Sequence, residues 1–175
     1  MTARTKINLI LATGKNGEVG DNGTLPWKNP EELENFKNAT YSHPVIYGRN
    51  TLVSMGRVLP GRRNIIVSSQ LKYIPGAEIA PSLQAAIDMV QGVPEAFVIG
   101  GVGLWTEALP IADAALISEI DFSGDVDTVL PKTFFVDLHA LYEMKGFSDK
   151  GSFTVSYWQR TGSDFYGVED ISVPA

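Results

Sequence analysis

The chain has 175 residues, 44% of them hydrophobic, and it contains no cysteine. This length predicts a single domain that buries roughly two-thirds of the surface of its unfolded chain. The absence of thiols excludes disulfides, zinc–thiolate sites and a cysteine nucleophile. The apolar run near the N-terminus is too short for a signal-peptide core or a membrane span. We therefore expect a cytoplasmic protein that does not bind a membrane and that is, by default, a monomer.

The net charge of -6 is unevenly distributed along the chain. No acidic residue lies between Asn35 and Ala77, and every charged side chain in that stretch is basic. From Glu78 to Glu143 the balance reverses, and Lys132 is the only basic residue. Because ligands respond to the local field, the first half of the chain is predicted to line a site for an anionic small molecule. An evenly spread acidic charge would disfavour nucleic acid as a partner, and we expect no nucleic-acid partner.

Short apolar runs alternate with helical patterns along most of the chain. Lys6 to Ala12 is nearly continuously apolar, as expected of a strand covered on both faces. A helix is predicted after Ser82, where apolar residues follow at helical spacing. Phe153 to Arg160 alternates apolar and polar side chains, as a half-exposed edge strand would. A buried strand is predicted within residues 43–51, and further strands are predicted at Asn64 to Val67, Ala96 to Ile99 and Leu116 to Ile120.

This alternation predicts an α/β fold with one domain. We expect a mainly parallel central sheet flanked by helices, with an antiparallel C-terminal edge strand. The domain is predicted to span residues 1–161. Residues 162–175 are predicted to form a loosely attached C-terminal extension.

A carboxylate stands beside the buried stripe of one predicted helix. The helix is predicted to begin at Pro30, with Asn29 as its cap, and its stripe consists of Leu33, Phe36 and Thr40. Glu32 lies next to this stripe, and two interpretations are open. Glu32 could complete a capping box by reaching back to the Asn29 amide, or it could be a half-buried carboxylate aimed into a cleft, where desolvation raises its pKa.

Anion-binding residues follow three predicted strands. In a parallel sheet such junctions meet at one edge, where helix N-termini attract phosphate. None of the three is a complete G-x-G-x-x-G or P-loop motif, and each could instead be a tight turn. Arg49 adjoining Ser68-Ser69 would favour an additional phosphate, and hence NADP(H) over NAD(H). The junctions are Gly48-Arg49-Asn50-Thr51, Ser68-Ser69-Gln70 and Gly100-Gly101-Val102-Gly103.

No metal site is predicted. His43 and His139 lack the neighbours that a metal site or a nucleophilic triad requires. Asp121, Asp125 and Asp127 do not have the spacing of an EF-hand loop, so a solvated acidic turn is the better interpretation.

Several motifs between Lys6 and Arg160 together resemble the dihydrofolate reductase family. Each motif is weak alone, and the signal lies in their common order. They are Val19-Gly20, Leu25-Pro26-Trp27, Glu32 followed by Phe36, Val45-Ile46-x-Gly48-Arg49-x-Thr51, Leu59-Pro60-Gly61-Arg62-x-Asn64, and Val98-Ile99-Gly100-Gly101.

The resemblance implies NADPH-dependent reduction of 7,8-dihydrofolate to 5,6,7,8-tetrahydrofolate, by hydride transfer to pterin C6 and protonation at N5. It implies that Glu32 binds the pterin and supports protonation, together with Trp27 and Ser118. It also implies that the Gly14–Leu25 loop is a lid over the nicotinamide, and that Arg62 clamps the substrate carboxylate. The implied walls of the substrate pocket are Ile10, Ala12, Leu33, Phe36, Met55 and Leu59. The implied cofactor-binding residues are Ala12, Val19, Gly20, Gly48, Arg49, Asn50, Thr51, Ser68, Ser69, Ile99, Gly100, Gly101, Val102, Gly103 and Leu104.

Two other functions compete with this interpretation. A reductase of the same fold acting on a riboflavin precursor would need a phosphate-binding site in place of the Arg62 carboxylate clamp. A structural or regulatory protein could bind the nucleotide without turnover, although Glu32, Trp27 and Arg62 together argue against that.

Overall fold

An eight-stranded sheet runs through residues 4–167, the part of the chain that the computed structural model describes. Its strands are β1 (Lys6–Thr13), β3 (Val45–Gly48), β4 (Asn64–Val67), β5 (Ala77–Ala80), β6 (Glu95–Gly100), β7 (Ala114–Ile120), β9 (Tyr142–Asp149) and β10 (Phe153–Arg160). A separate pair is formed by β2 (Glu18–Gly20) and β8 (Thr128–Val129). The helices are α1 (Pro30–Thr40), α2 (Arg49–Met55), α3 (Leu83–Met89), α4 (Val102–Ala108) and α5 (Lys132–Leu141).

The strand order of the main sheet is β5-β4-β3-β6-β1-β7-β10-β9. The first six strands are parallel, and β10 pairs antiparallel with both β7 and β9. The predicted α/β fold with a mainly parallel sheet is therefore confirmed. One detail was wrong, because Phe153–Arg160 lies second from the edge. The edge strand is β9, whose polar sequence YEMKGFSD carries no apolar alternation that would have predicted it.

Hydrophobic side chains fill both faces of the sheet. One core joins the sheet to α3, α4 and α5 and includes Trp105 and Phe134. The other joins it to α1 and α2, with Tyr47 and Val155 buried at its centre. Burying each such side chain stabilises the fold by roughly 1.5–3 kcal/mol. Since the strands between these layers run parallel, their carboxyl ends form one edge, next to the start of α2 and α4.

Both ends of the described chain attach to the amino edge of the sheet. Arg4 makes two hydrogen bonds to Asp113, of 2.7 and 3.1 Å. Ser163, which is buried, donates to the same carboxylate at 2.6 Å, and the Arg4 guanidinium lies 4.8 Å from the centre of the Phe165 ring. Residues 162–167 of the predicted loose extension thus pack on the domain, and residues 168–175 lie outside the described residues. Within residues 4–167, no helix is long and apolar enough to cross a bilayer.

Candidate active site

The first turn of α1 fixes the position of the Glu32 carboxylate. The Asn29 side chain accepts a hydrogen bond from the Glu32 backbone N–H at 3.1 Å, and Pro30 occupies the first helical turn. The side chain of Glu32 points inward, and only 6% of the residue is exposed. Burial raises the pKa of Glu32 above its ordinary value, and the Ser118 hydroxyl, which donates to the carboxylate, partly offsets this effect.

The two interpretations of Glu32 are therefore resolved in part. Asn29 caps the helix through the Glu32 amide, as predicted, while the Glu32 carboxylate is buried toward the sheet, where Ser118 lowers its pKa. The predicted buried stripe is wrong at Leu33, which is 50% exposed, although Phe36 is half-buried and Thr40 is buried. The helix turns Glu32 toward the sheet, and Leu33, one residue later, faces outward because adjacent helical positions lie about 100° apart.

The central strands bring the sheet residues of the site into one row. Ala12 of β1 and Val155 of β10 are the register partners of Ser118 on β7. Ile10 is two residues before Ala12, and side chains two apart on a strand share a face. Ile10, Ala12 and Ser118 are therefore on the face of the sheet that α1 covers.

Most of the predicted pocket walls pack in the core on this face. Ile10 is buried there, and the half-buried residues against it include Phe36, Met55, Leu59 and Trp27. Ala12 is half-buried at the end of the same row. Leu33 is half exposed, as a residue that lines an open cleft can be, and its place in the pocket wall stays a prediction. The arrangement places an apolar surface beside one carboxylate, as in many small-molecule sites.

Trp27 offers a hydrogen-bond donor without a protein acceptor. Its indole Nε1 is buried and makes no hydrogen bond to any described residue. Its ring lies 5.9 Å from the ring of Phe122, centre to centre, which fixes the indole against the segment after β7. A buried unpaired N–H costs free energy unless a ligand or a water accepts from it. This donor therefore fits a polar ligand on the Glu32 face.

Arg62 lies at the C-terminal end of α1. Its guanidinium donates to the Thr40 hydroxyl at 3.1 Å and to the Pro60 carbonyl at 3.0 Å, and it lies 5.9 Å from the centre of the Tyr41 ring. Partial burial lowers the pKa of Arg62, without removing its charge at neutral pH. No ion pair with a carboxylate is present among residues 4–167, so the charge is open to a ligand carboxylate.

Asn64 holds the loop that carries both Leu59 and Arg62. Its side chain accepts from the Leu59 N–H at 2.9 Å and donates to the carbonyls of Leu59 and Arg62 at 2.8 and 2.9 Å. Tyr47 donates to it at 2.7 Å, and burial raises the pKa of Tyr47 to about 12, which keeps this donor protonated. The sequence motif contained Asn64, but its positioning role was not predicted from it.

The three predicted anion junctions follow neighbouring strands. Gly48 at the end of β3 is the register partner of Val67 at the end of β4, and Tyr47 is the partner of Gly100 on β6. The junctions after these strands consequently lie side by side. Gly48 also approaches α4, since a Cβ built on it would lie 3.9 Å from the Leu104 side chain.

Close packing at Gly100 joins two of these junctions. A Cβ at this position would lie 3.2 Å from the Thr51 hydroxyl and 3.2 Å from the Trp105 ring, and Gly100 has a φ of +139°. The next residue, Gly101, would bring a Cβ to 3.7 Å from the same hydroxyl. Because Gly100 and Gly101 have no side chains, the backbone at the end of β6 can approach the start of α2. We call this close approach of the two backbone segments the backbone cradle.

The helices behind this cradle begin without side-chain caps. α2 starts after Gly48 and α4 after Gly101, and neither cap residue offers a side chain to the free N–H groups. Arg49, Asn50, Ser69 and Gly103 are exposed around them; Thr51, Ser68 and Val102 are half-buried, and Ile99 is buried. The Ser68 hydroxyl oxygen accepts from the N–H groups of residues 70 and 71, and its hydrogen stays available to a ligand. These groups suit phosphate.

The glycine loop before α1 lies on the other side of the site. Val19 and Gly20 belong to β2, which pairs with β8, and both are half-buried. Val19 contacts the core on the α5 face of the sheet rather than the Glu32 face. Its side chain is therefore turned away from the proposed pocket, so any contact with a cofactor would come through the backbone.

The chain resembles known proteins over most of its length. The family model described as dihydrofolate reductase matches residues 6–160. The chain belongs to the dihydrofolate reductase family. It is 43% identical over 126 residues to the type 3 dihydrofolate reductase of Salmonella typhimurium, which covers 71% of this chain and 78% of that protein. It is 41% identical over 128 residues to the dihydrofolate reductase of Neisseria meningitidis serogroup A, which covers 72% and 79%.

A solved structure shares the fold. The dihydrofolate reductase from Enterococcus faecalis, complexed with NADP(H) and RAB-propyl, superposes with a TM-score of 0.80 at 23% identity. The match covers 92% of this chain and 99% of that one. The family predicted from the motifs is thus confirmed, and so is its fold. The roles of individual residues stay predictions.

Replacing Gly100 by alanine tests the backbone cradle of this family member. The new methyl group would press on Thr51 and Trp105 at a φ that L-residues rarely adopt, with a cost of about 1–3 kcal/mol. We expect weaker NADPH binding and a lower free energy of unfolding, measured by fluorescence titration and by urea denaturation. Gly103→Ala is the control for the free energy of unfolding alone, because Gly103 is itself a predicted cofactor-binding residue, while a Cβ there meets nothing within 4 Å and alanine favours the helix. An unchanged affinity in Gly100→Ala would contradict the cradle.

Proposed function

We propose that the cleft between α1 and the carboxyl edge of the sheet binds 7,8-dihydrofolate, with Glu32 against the pterin. The reaction is that of the family to which the chain belongs, the NADPH-dependent reduction of dihydrofolate to tetrahydrofolate. The observation that carries the proposal is the buried Glu32 carboxylate, on the face of the sheet where Ser118 lies and where Trp27 holds a buried, unpaired N–H.

Glu32 would accept hydrogen bonds from the 2-amino group and N3 of the pterin. Both of its carboxylate oxygens can accept, and a bidentate contact fixes the orientation of a planar ring. Because burial raises its pKa, Glu32 can hold a proton nearer neutral pH than an exposed carboxyl could, and so it supports protonation at N5. Ser118 would hold the carboxylate in place, and the Trp27 N–H would bind a polar atom of the substrate or a water beside it.

NADPH, when bound, supplies the hydride that goes to pterin C6. Thr51, Arg49 and the free N–H groups at the starts of α2 and α4 would hold its phosphates, and Gly100 and Gly101 would let it approach the backbone. Ile10, Phe36 and Met55 would exclude water from the pterin side of the cleft. The chain would therefore accelerate the reaction by orienting the reactants, by excluding water from the cleft and by holding a proton source near N5.

Arg62→Lys tests the proposed carboxylate clamp. Lysine keeps the charge but loses the planar pair of donors, so we expect KM for dihydrofolate to rise about ten- to hundredfold with little change in kcat. The measurement is steady-state kinetics at saturating NADPH. Arg63→Lys is the matched control, because Arg63 bonds to Glu78 and the Met89 carbonyl instead. For a dihydropterin that lacks the glutamate tail, the wild type and Arg62→Lys should have the same KM. A different KM for this substrate would show that the carboxylate clamp is wrongly assigned.

The reaction itself has a direct assay. Purified protein mixed with NADPH and dihydrofolate should consume NADPH, measured by its absorbance. The same assay with a pyrimidine riboflavin precursor should show no consumption, because the proposed Arg62 clamp would bind a carboxylate in the place where that substrate needs a phosphate site. Binding of NADPH without turnover of either substrate, in folded protein, would favour the non-catalytic alternative.

We propose further that the protein acts as a cytoplasmic monomer without nucleic acid. The two hydrophobic layers on one sheet give the domain a core of its own, which supports an independent monomer. The net charge of -6 opposes a polyanionic partner. Sedimentation at micromolar concentration should give a mass near 19.0 kDa.

A further inference from the structure

Glu18 is a buried carboxylate at the base of the glycine loop. Only 2% of the residue is exposed. Its Oε1 accepts from the Asn16 backbone N–H at 2.6 Å, and its Oε2 accepts from the Gly124 backbone N–H at 2.9 Å. One side chain thus joins two segments more than a hundred positions apart in sequence.

The backbone keeps this carboxylate charged. Burial alone would raise the pKa of Glu18, but the N–H groups of Glu18, Gly124 and Asn16 outweigh burial, and the net pKa is lowered. None of the ion pairs among residues 4–167 includes Glu18. The negative charge is therefore held by oriented backbone amides, which are among the stronger hydrogen bonds in proteins.

Gly14 packs directly against the Glu18 carboxylate. A Cβ on Gly14 would lie 2.8 Å from Glu18 Oε1 and 2.8 Å from the Phe122 carbonyl. The Lys15 N–H donates to that carbonyl at 2.8 Å, and the Gly14 N–H donates to the Glu18 carbonyl at 2.8 Å. The start of the loop is thus fastened to residues 122–124.

The other parts of the loop contact the same region. Trp27, just after the loop, packs on Phe122, and the Asn22 N–H donates to the Asp127 carboxylate at 2.8 Å. Residues 122–127 therefore contact the beginning and the middle of the loop, and also Trp27, which follows it. Glu18 is the buried link among these contacts, whereas Asn22 and Asp127 are exposed.

We propose that Glu18 is a positioning residue, which fixes the base of the Gly14–Leu25 loop on residues 122–124 and so presents Val19 and Gly20 to the cofactor. The proposal rests on the proposed role of this loop as a lid over the nicotinamide. Glu18 is buried against backbone amides, so its effect on the cofactor would come through the position of the loop. The competing explanation is that Glu18 stabilises the fold alone.

Glu18→Gln is the first test. The amide has the same shape, but its NH₂ group would face a backbone N–H, so one donor is left without an acceptor. We expect the dissociation constant of NADPH to rise about tenfold, because a loop released at its base must be ordered again when the cofactor binds. The hydride-transfer rate in single-turnover kinetics should fall, and amide exchange at Asn16 and Gly124 should accelerate before global unfolding.

Gly14→Ala is the second test, because its methyl group would displace the same carboxylate while Glu18 itself is retained. It should reproduce the weaker NADPH binding and the faster local exchange. Asp113→Asn, at the opposite edge of the sheet, is the control for stability, and it should leave NADPH affinity and the hydride-transfer rate unchanged. If Glu18→Gln or Gly14→Ala lowers only the free energy of unfolding, as Asp113→Asn does, the positioning role is overturned.

These readouts separate the inference from the proposed function. If the wild type bound NADPH but did not reduce dihydrofolate, the proposed function would fail. NADPH affinity and amide exchange would still show whether Glu18 holds the loop. Unchanged affinity and exchange in both variants of an active enzyme would instead overturn the role of Glu18 alone.

Discussion

Replacing Glu32 by glutamine should lower kcat/KM for dihydrofolate by about 10²–10⁴-fold at neutral pH and leave the fold intact. Glutamine keeps the shape of the side chain and the backbone N–H that Asn29 caps. It loses the ionisable group whose pKa burial has raised, and it can accept at one oxygen only. Steady-state and single-turnover kinetics at saturating NADPH measure the effect.

The pH dependence of this variant follows from the same carboxyl group. Without it, the proton for N5 must come from solvent, so the variant's rate should rise as pH falls. The wild-type rate should fall less steeply with pH, because Glu32 with its raised pKa keeps a proton source near the ring. The ratio of the two rates should therefore shrink toward low pH. A ratio independent of pH would mean that Glu32 orients the substrate without supporting protonation.

The stability of Glu32→Gln separates catalysis from capping. A carboxyl group whose pKa is raised in the folded state binds protons more tightly there than in the unfolded state. Its contribution to the free energy of unfolding therefore becomes unfavourable as pH rises from the unfolded-state pKa through the folded-state pKa. At neutral pH the glutamine variant should be at least as stable as the wild type, and the difference should vanish in acid. Glu34→Gln, exposed on the same helix, is the control for both stability and turnover. A clear loss of stability at neutral pH would favour the capping box.

Local sequence patterns predicted the parts of the site that depend on neighbours along the chain. The Asn29 cap, the proline start and the glycine junctions each follow from a few adjacent residues. Leu33 was misplaced because helical periodicity predicts which residues share one side of the helix, but not which residue of that side faces the sheet. The rotation of α1 about its axis depends on the side chain that packs against the sheet. That side chain is Glu32, through Ser118 on β7, a partner that lies 86 positions away in the sequence numbering and has no local signal.

Long-range polar contacts were the features that the sequence could not supply. Glu18 looks like a solvated acid in a glycine loop, and its burial depends on Gly124, far along the chain. β9 was missed for a related reason, since its residues are held by pairing with β10 and not by an apolar pattern. Sequence periodicity reports burial of side chains, and these features depend on backbone partners brought together by the fold.

Asp113 is expected to dominate the stability of the amino edge of the sheet. Its side chain is completely buried and accepts from both terminal nitrogens of Arg4, from the Ile7 N–H at 2.8 Å and from the Ser163 hydroxyl. Asp113→Ala removes every one of these acceptors. It leaves a backbone N–H, a hydroxyl and a guanidinium without their partner, so we expect a loss of about 3–5 kcal/mol in the free energy of unfolding.

Urea denaturation measures this loss, and Asp164→Asn is the matched control. Asp164 also pairs with Arg4, at 3.0 Å, but its side chain is 78% exposed, and exposed ion pairs contribute little because solvent screens them. Because Asp113 precedes β7 and the proposed site lies at the opposite ends of the strands, folded Asp113→Ala should retain wild-type kcat and KM. Equal denaturation midpoints for the two variants would show that the carboxylate's buried contacts add nothing beyond a surface pair. Altered kinetics in folded Asp113→Ala would show instead that the two edges of the sheet are coupled.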